Sequence, residues 1–288
     1  MKDVKEMSFE EYRNTCIEEM TAALRPDEEL DVCTISKLNR GELEGIRLKK
    51  IGSEYGATLY FNDLYKDKVE PWIVMEWLRS ANADVKEYIK NPTIDEIAEK
   101  AYFRMCNKER NKGMLKNSIT LYYPELGDVV LYAVYPAVET KTQTGTIRLT
   151  TNQMQDLGVT ESIMVELKER MIQNTAKLVE VRPLKEVLEE LSGVMYVEES
   201  PFIVAKSEKT MASAFVKPIM KQFKKNVFVI PSSTMELLFI YEDETMGRST
   251  EELKQLIKDV NENVVEDDIF LSNNLYLYNA ETEKITTV

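Results

Sequence analysis

Residues 226–241 read NVFVIPSSTMELLFIY. Two apolar runs rich in β-branched and aromatic residues, Val227 to Ile230 and Leu237 to Tyr241, flank Pro231, Ser232, Ser233 and Thr234, so two short buried strands joined by a hydroxyl-rich turn are expected. Upstream, Phe202 to Ala205 has the same strand character. Thr210 to Lys225 lies between them with helical spacing, which Pro218 should kink or divide. Downstream, Ser249 with Glu252 makes a capping box for a helix over Thr250 to Asn261, whose Leu253, Leu256, Ile257 and Val260 face inward. Leu275 to Tyr278 follows as another strand. Strand, helix, strand, strand, helix, strand is the order of a split β-α-β, ferredoxin-like unit.

The amino-terminal half begins with a second capping box, Ser8 with Glu11. Phe9, Tyr12, Cys16, Met20 and Ala23 then line one helical face until Arg25 and Pro26 end it. Val32 to Leu38, Leu43 to Lys50 and Ala57 to Phe61, punctuated by Gly41, Gly52 and Gly56, read as an antiparallel meander. A helix follows over Pro71 to Ser80, carrying Trp72, Val74, Met75, Trp77 and Leu78. Another starts at Thr93, capped with Glu96, and sets Ile94, Ile97, Ala98, Ala101 and Met105 on one face. Leu121 to Tyr123 and Val129 to Val138 form a strand pair, and Thr146 to Thr150 alternates as one more strand. Thr160 caps a helix to about Leu178, and Pro183 opens a short one to Leu191. The expected fold class is α+β, antiparallel sheets with helices packed on them, in two halves divided as 1–118 and 119–288.

A chain of 288 residues, 43% hydrophobic and 30% charged, can bury a core without metal or disulfide support. Its three cysteines, Cys16, Cys33 and Cys106, are odd in number and form no CxxC pair, which fits a reducing cytoplasm. Residues Met1 to Glu6 lead into no apolar signal segment, and no run approaches the roughly eighteen apolar residues of a membrane span. The net charge of −13 opposes nucleic-acid binding, which depends on cationic surface.

Histidine is absent, so the Ser-His-Asp triad, the Cys-His pair and HExxH zinc sites are excluded in their usual forms. Neither a GxxxxGK[ST] loop nor a GxGxxG turn occurs, and nothing calls for a cofactor. Carboxylate chemistry survives this filter. Asn62, Asp63 and Tyr65 stand at a strand end, where binding residues sit, and Asn-Asp is equally an ordinary turn pair. Glu125 and Asp128 flank Gly127 between two strands, as a hairpin loop also requires. Ser232 and Ser233 offer donors to an anion, or simply a solvated turn.

Charge is more segregated than chemistry. Glu242 to Asp268 carries ten acids against Arg248, Lys254 and Lys258. Lys206, Lys209, Lys217, Lys221, Lys224 and Lys225 oppose only Glu208 just before it. Lys100, Arg104, Lys108, Lys112 and Lys116 recur every four residues on and past the helix capped by Thr93, as a solvated face or as a docking surface for an acidic partner.

Several segments together resemble a known family: SFEEY at 8–12, LEGIRLKK at 43–50, ATLYFNDLY at 57–65, NKERNKGML at 107–115, TNQMQDLGVTES at 151–162, NVFVIPSSTMELLFIYEDE at 226–244, ELKQLIKDVN at 252–261 and LSNNLYLYNAETEKI at 271–285. The chain resembles the bacterial proteins grouped as domain of unknown function 5688, found mainly in clostridial genomes. That resemblance implies a bacterial cytoplasmic setting and an accessory role near mobile elements, and it supplies no catalytic residue or cofactor. The leading expectation is a non-enzymatic interaction or regulatory protein with a protein partner. A metal-dependent hydrolase using Asp63, Glu125 and Asp128, and an acidic mimic of nucleic acid that occupies a basic protein, are the alternatives.

Overall fold

A computed structural model describes residues 3–53, 55–83, 87–88, 91–139, 144–193, 200–207 and 211–288. The chain forms two compact units, Met1–Lys90 with Ala137–Gly145, and Asn91–Pro136 with Thr146–Val288. Residues 91–118 cluster in the second unit.

In the first unit, Ser8 caps helix α1 (Phe9–Ala22) reciprocally. Its hydroxyl accepts from the Glu11 amide at 3.3 Å while its own amide donates to Glu11 Oε2 at 2.7 Å. Strands β1 (Glu28–Lys37), β2 (Gly41–Lys50) and β3 (Gly56–Tyr60) form the expected antiparallel meander in the order β1-β2-β3. Helices α2 (Phe61–Lys66) and α3 (Pro71–Ala83) come next. Tyr12, Cys16 and Met20 of α1, Ile46 and Leu48 of β2, Phe61 and Leu64 of α2, and Val74, Met75 and Leu78 of α3 make one buried cluster. Asn82 fastens α3 to the meander by accepting from the Ala57 amide and donating to the Leu48 carbonyl, both at 2.8 Å. Strand β4 (Glu87–Tyr88) pairs with residues 138 and 139, which belong to the same unit.

The second unit holds α4 (Ile94–Lys100), β5 (Tyr102–Asn107), α5 (Lys112–Leu115) and β6 (Thr120–Leu121). Strand β7 (Val129–Glu139) pairs antiparallel with β5, from Tyr102↔Val134 to Asn107↔Val129, and with β6; β8 (Thr144–Arg148) also pairs with it. Helices α6 (Thr151–Asp156) and α7 (Glu161–Leu178) follow, then β9 (Glu180–Pro183), α8 (Leu184–Ser192), β10 (Ile203–Lys206), α9 (Lys217–Met220), β11 (Val227–Ile230), β12 (Glu236–Tyr241), α10 (Thr250–Asn263), β13 (Tyr276–Asn279) and β14 (Lys284–Thr287). The carboxyl-terminal sheet runs β14-β13-β11-β12-β10-β9, all antiparallel. Phe228, Ile230 and Ile240 of this sheet pack with Leu253 and Ile257 of α10.

The class is therefore α+β with antiparallel sheets, and several expectations need correction; in α10 only Leu253 and Ile257 are buried, while Leu256 and Val260 are exposed. In the carboxyl-terminal sheet the first and last strands of the predicted unit, β10 and β13, flank the β12–β11 hairpin on opposite sides, whereas a ferredoxin-like unit sets them side by side. The helix capped by Thr93 stops at Lys100. Tyr102 to Asn107 pairs with β7 and is buried on both faces, so Met105 and Arg104 belong to a strand. Pairing and burial there override helical spacing. The helix expected over Thr210 to Lys225 shrinks to one turn. Thr210 and Lys209 lie outside the described residues, while Ala212 to Val216 is a buried non-helical run whose Ser213 amide donates to the Phe103 carbonyl at 2.8 Å. Pro218 occupies the first turn, where its missing N–H leaves no helical bond unmade. Strands β9 and β14 extend the sheet beyond the elements expected from sequence.

Candidate functional site

Asp128, the turn residue immediately before β7, gathers a dense polar network in the second unit. Its Oδ1 accepts from Ser272 Oγ at 2.8 Å, Asn274 Nδ2 at 2.9 Å and the Tyr276 hydroxyl at 3.1 Å, and its Oδ2 accepts from Asn107 Nδ2 at 3.2 Å. Asn107 also donates to the Leu271 carbonyl at 2.9 Å. Burial and the neighbouring Asp128 carboxylate push the Tyr276 hydroxyl well above the ordinary tyrosine value, so it stays a neutral donor. A carboxylate surrounded by donors in this way ties β7 to the segment before β13 and has little acceptor capacity left for a metal or substrate.

Glu125 lies exposed in a 3-10 turn, Pro124–Leu126, and its backbone carbonyl accepts from Thr287 Oγ1 at 2.8 Å. It edges a cleft of about 260 Å³ also lined by Tyr123, Phe215, Lys217, Tyr278 and Glu283. Glu283 pairs with Lys217 at 3.4 Å and Lys221 at 2.8 Å. Ser232 and Ser233 form a self-contained turn: Ser232 Oγ donates to Glu236 Oε1 at 3.2 Å, and buried Ser233 Oγ accepts from the Met235 amide at 3.1 Å.

Asn62, Asp63 and Tyr65 sit on α2 in the first unit rather than in a turn. Arg40 grips Asp63 with two hydrogen bonds of 2.5 and 2.9 Å and holds its carboxyl below the usual aspartate value. The Tyr65 hydroxyl donates to the Met7 carbonyl at 3.1 Å, its ring packs edge-on against Phe9, and Lys68 Nζ lies 3.3 Å from the ring centre. Asn62 is exposed. Glu125 and Asp128 thus share one connection, while Ser232 and Ser233 belong to another turn and the α2 residues to another unit. Among the described residues, no group of three or more Cys, Asp or Glu is arranged to hold a metal ion. Burial pushes the Cys16 thiol up to about 11 and Cys106 up to about 12, in keeping with packing rather than nucleophilic roles.

The surface feature that sequence reasoning passed over is on α3. Pro71, Val74, Met75 and Leu78 form its buried stripe, which leaves Trp72 and Trp77, the chain's two tryptophans, 66% and 51% exposed. Exposed Glu76 stands between them in the chain. Their offset from the i, i+3, i+4, i+7 stripe was the available signal. The basic tract dissolves on inspection: Lys100 ends α4, Arg104 lies on β5, Lys108 covers the Tyr122 ring and Lys112 pairs with Glu109.

Among the described residues no helix is long and apolar enough to cross a membrane. Fold and surface together define an α+β protein of antiparallel sheets in which Asp63, Asp128, Ser232 and Ser233 are engaged in structure and the indoles of α3 are displayed. The chain belongs to the family of unknown function DUF5688, whose family model matches residues 9–280. No curated protein and no solved structure matches it significantly. Two of the segments that carry the resemblance, 107–115 and 271–285, meet at Asp128 through Asn107, Ser272, Asn274 and Tyr276.

Proposed function

We propose that this protein acts by binding a basic protein partner through helix α3, in a bacterial cytoplasmic setting, and not by catalysing a reaction. The observation that carries the reading is the exposure of Trp72 and Trp77 on a helix that buries Val74, Met75 and Leu78 and half-buries Ile73. Each exposed indole forgoes about 2 kcal/mol of burial that a partner can supply. Tryptophan is also the residue most enriched where binding energy concentrates. A cationic partner fits because indole faces attract guanidinium and ammonium groups and because the net charge is −13; exposed Glu76, between the two indoles in the chain, already pairs with Arg79 at 3.3 Å and is the lesser contribution. The same charge disfavours nucleic acid.

The nucleic-acid-mimic version has less support. Its acidic stretch is partly engaged: Lys225 pairs with Asp243 at 2.9 Å, Arg110 with Asp267 at 3.1 Å and Lys258 with Glu262 at 3.8 Å. The hydrolase version has less still, given how Asp63 and Asp128 are held.

The test is retention of basic proteins on the immobilised full chain at low salt, comparing wild type with Trp72→Ala/Trp77→Ala and Glu76→Lys. The reading predicts retention by wild type, loss in the double variant at a melting temperature changed by no more than about 2 °C, and weakening by Glu76→Lys. Equal retention by all three, or none by wild type, contradicts it.

A further inference from the structure

Arginine cannot shed its charge, so withdrawing it from water without an anion is costly. The half-buried arginines Arg13, Arg47, Arg79 and Arg182 obey this rule, gripping Glu44, Asp31, Glu28 and Glu190 at 2.7 to 2.8 Å. Arg104 and Arg148, in the second unit, do not. Both are half-buried, and neither has a carboxylate partner among the described residues.

What they do have is meagre. Arg104 donates through Nη1 to Thr146 Oγ1 at 3.2 Å and through Nη2 to the Met211 thioether, a weak acceptor. Arg148 donates through Nη1 to the Met114 carbonyl at 2.7 Å. The Nε atoms of both side chains are buried with no acceptor among the described residues. Burial lowers the proton affinity of Arg148, with no carboxylate opposing it, whereas Arg13, Arg79 and Arg182 are all shifted up by theirs.

The two guanidiniums share one sheet face. Arg104 lies opposite Tyr132 in the β5–β7 register and reaches Thr146 on β8. Arg148 is two residues beyond Thr146 on that strand, and residues two apart in a strand project to the same side. Tyr132, directly opposite Arg104 in the register, projects to the same face; burial pushes its hydroxyl up to about 12, and both cations oppose that rise.

We propose that Arg104 and Arg148, on the sheet face that also carries Tyr132, bind a phosphoryl group. Two fixed positive charges match a phosphate dianion, and planar N–H donors suit its oxygens better than a lysine ammonium would. The partial exposure of both arginines gives a solute access. The site rests on residues unrelated to α3, so it can succeed or fail apart from the partner-binding reading.

The experiment titrates inorganic phosphate into the full chain at constant ionic strength, following melting temperature and heat of binding, with sulfate and acetate in parallel. The proposal predicts saturable stabilisation by phosphate, less by sulfate and none by acetate, with affinity falling about tenfold or more in Arg104→Met and about threefold in Tyr132→Phe. Arg148 also holds the Met114 carbonyl, so it is read in the wild-type protein instead. Phosphate should slow dicarbonyl modification of Arg104 and Arg148, mapped by peptide mass spectrometry, and leave exposed Arg170 unprotected. Absence of phosphate stabilisation, stabilisation retained fully in Arg104→Met, or protection that spares these two arginines would overturn the assignment. Should Arg104→Met not fold, Tyr132→Phe and the protection pattern decide in the same way.

Discussion

The Asp128 carboxylate stands within hydrogen-bonding distance of Asn107, Ser272, Asn274 and Tyr276, so removing it strands several donors at once. Asp128→Ala should cost about 3 kcal/mol in urea denaturation, and Asp128→Asn less because it keeps an acceptor; a loss under about 1 kcal/mol would mean that water replaces the network. Glu28 gives a pH signature. Hydrogen bonds from Arg79 at 2.7 and 2.9 Å hold its carboxyl below the ordinary 4.5. A depressed carboxylate stabilises the fold above its unfolded value and loses that contribution as pH falls through the lowered one. Wild type should therefore exceed Glu28→Gln by about 1.5 to 3 kcal/mol at neutral pH, with the gap closing in the acid limb. A gap independent of pH contradicts the pairing. Asp63 teaches the limit of residue-level reading: an Asn-Asp pair after a strand looked equally suited to a turn or a site, and Arg40, 23 residues earlier in sequence, decides its role.

At the level of elements, the local signals were the dependable ones. Ser8, Thr93 and Ser249 each form the reciprocal cap read from their spacing to Glu11, Glu96 and Glu252. The meander and β11–β12 lie where alternation and turn residues put them, because those cues act within a few residues. Elements that depend on distant partners were illegible. Nothing near Tyr102 in sequence announces that it pairs with Val134, and β14 becomes a strand only against β13. Glycine choice in the meander also has a tertiary cause. A Cβ at Gly45 would lie 2.8 Å from Thr58 Cγ2 and 2.9 Å from the Leu59 carbonyl oxygen, inside the β2–β3 pairing. Gly45→Ala should destabilise by about 1 to 3 kcal/mol, whereas Gly113→Ala in α5, with nothing within 4 Å, should be neutral or slightly stabilising. Thermal denaturation of the pair checks this, and equal effects would contradict the close approach.

For the whole molecule, the absence of histidine narrows the available chemistry from composition alone. The site itself was not legible, because exposure is a property of packing: Trp72 and Trp77 were visible as members of a helix, and only the burial of Val74, Met75 and Leu78 turns them outward. The charge tracts suffered the reverse fate, since Lys217, Lys221 and Lys225 spend themselves on Glu283 and Asp243. Both tryptophans of the chain lie on α3, so selectively excited tryptophan fluorescence of the free chain reports on that helix alone. The decisive measurement is tryptophan emission and iodide quenching of the full chain, first free and then with a basic protein retained in the binding test. Long-wavelength, readily quenched emission that shifts to the blue and becomes protected in the complex is the predicted result; emission that is already blue and shielded in the free protein, or unchanged by the partner, would contradict recognition through α3.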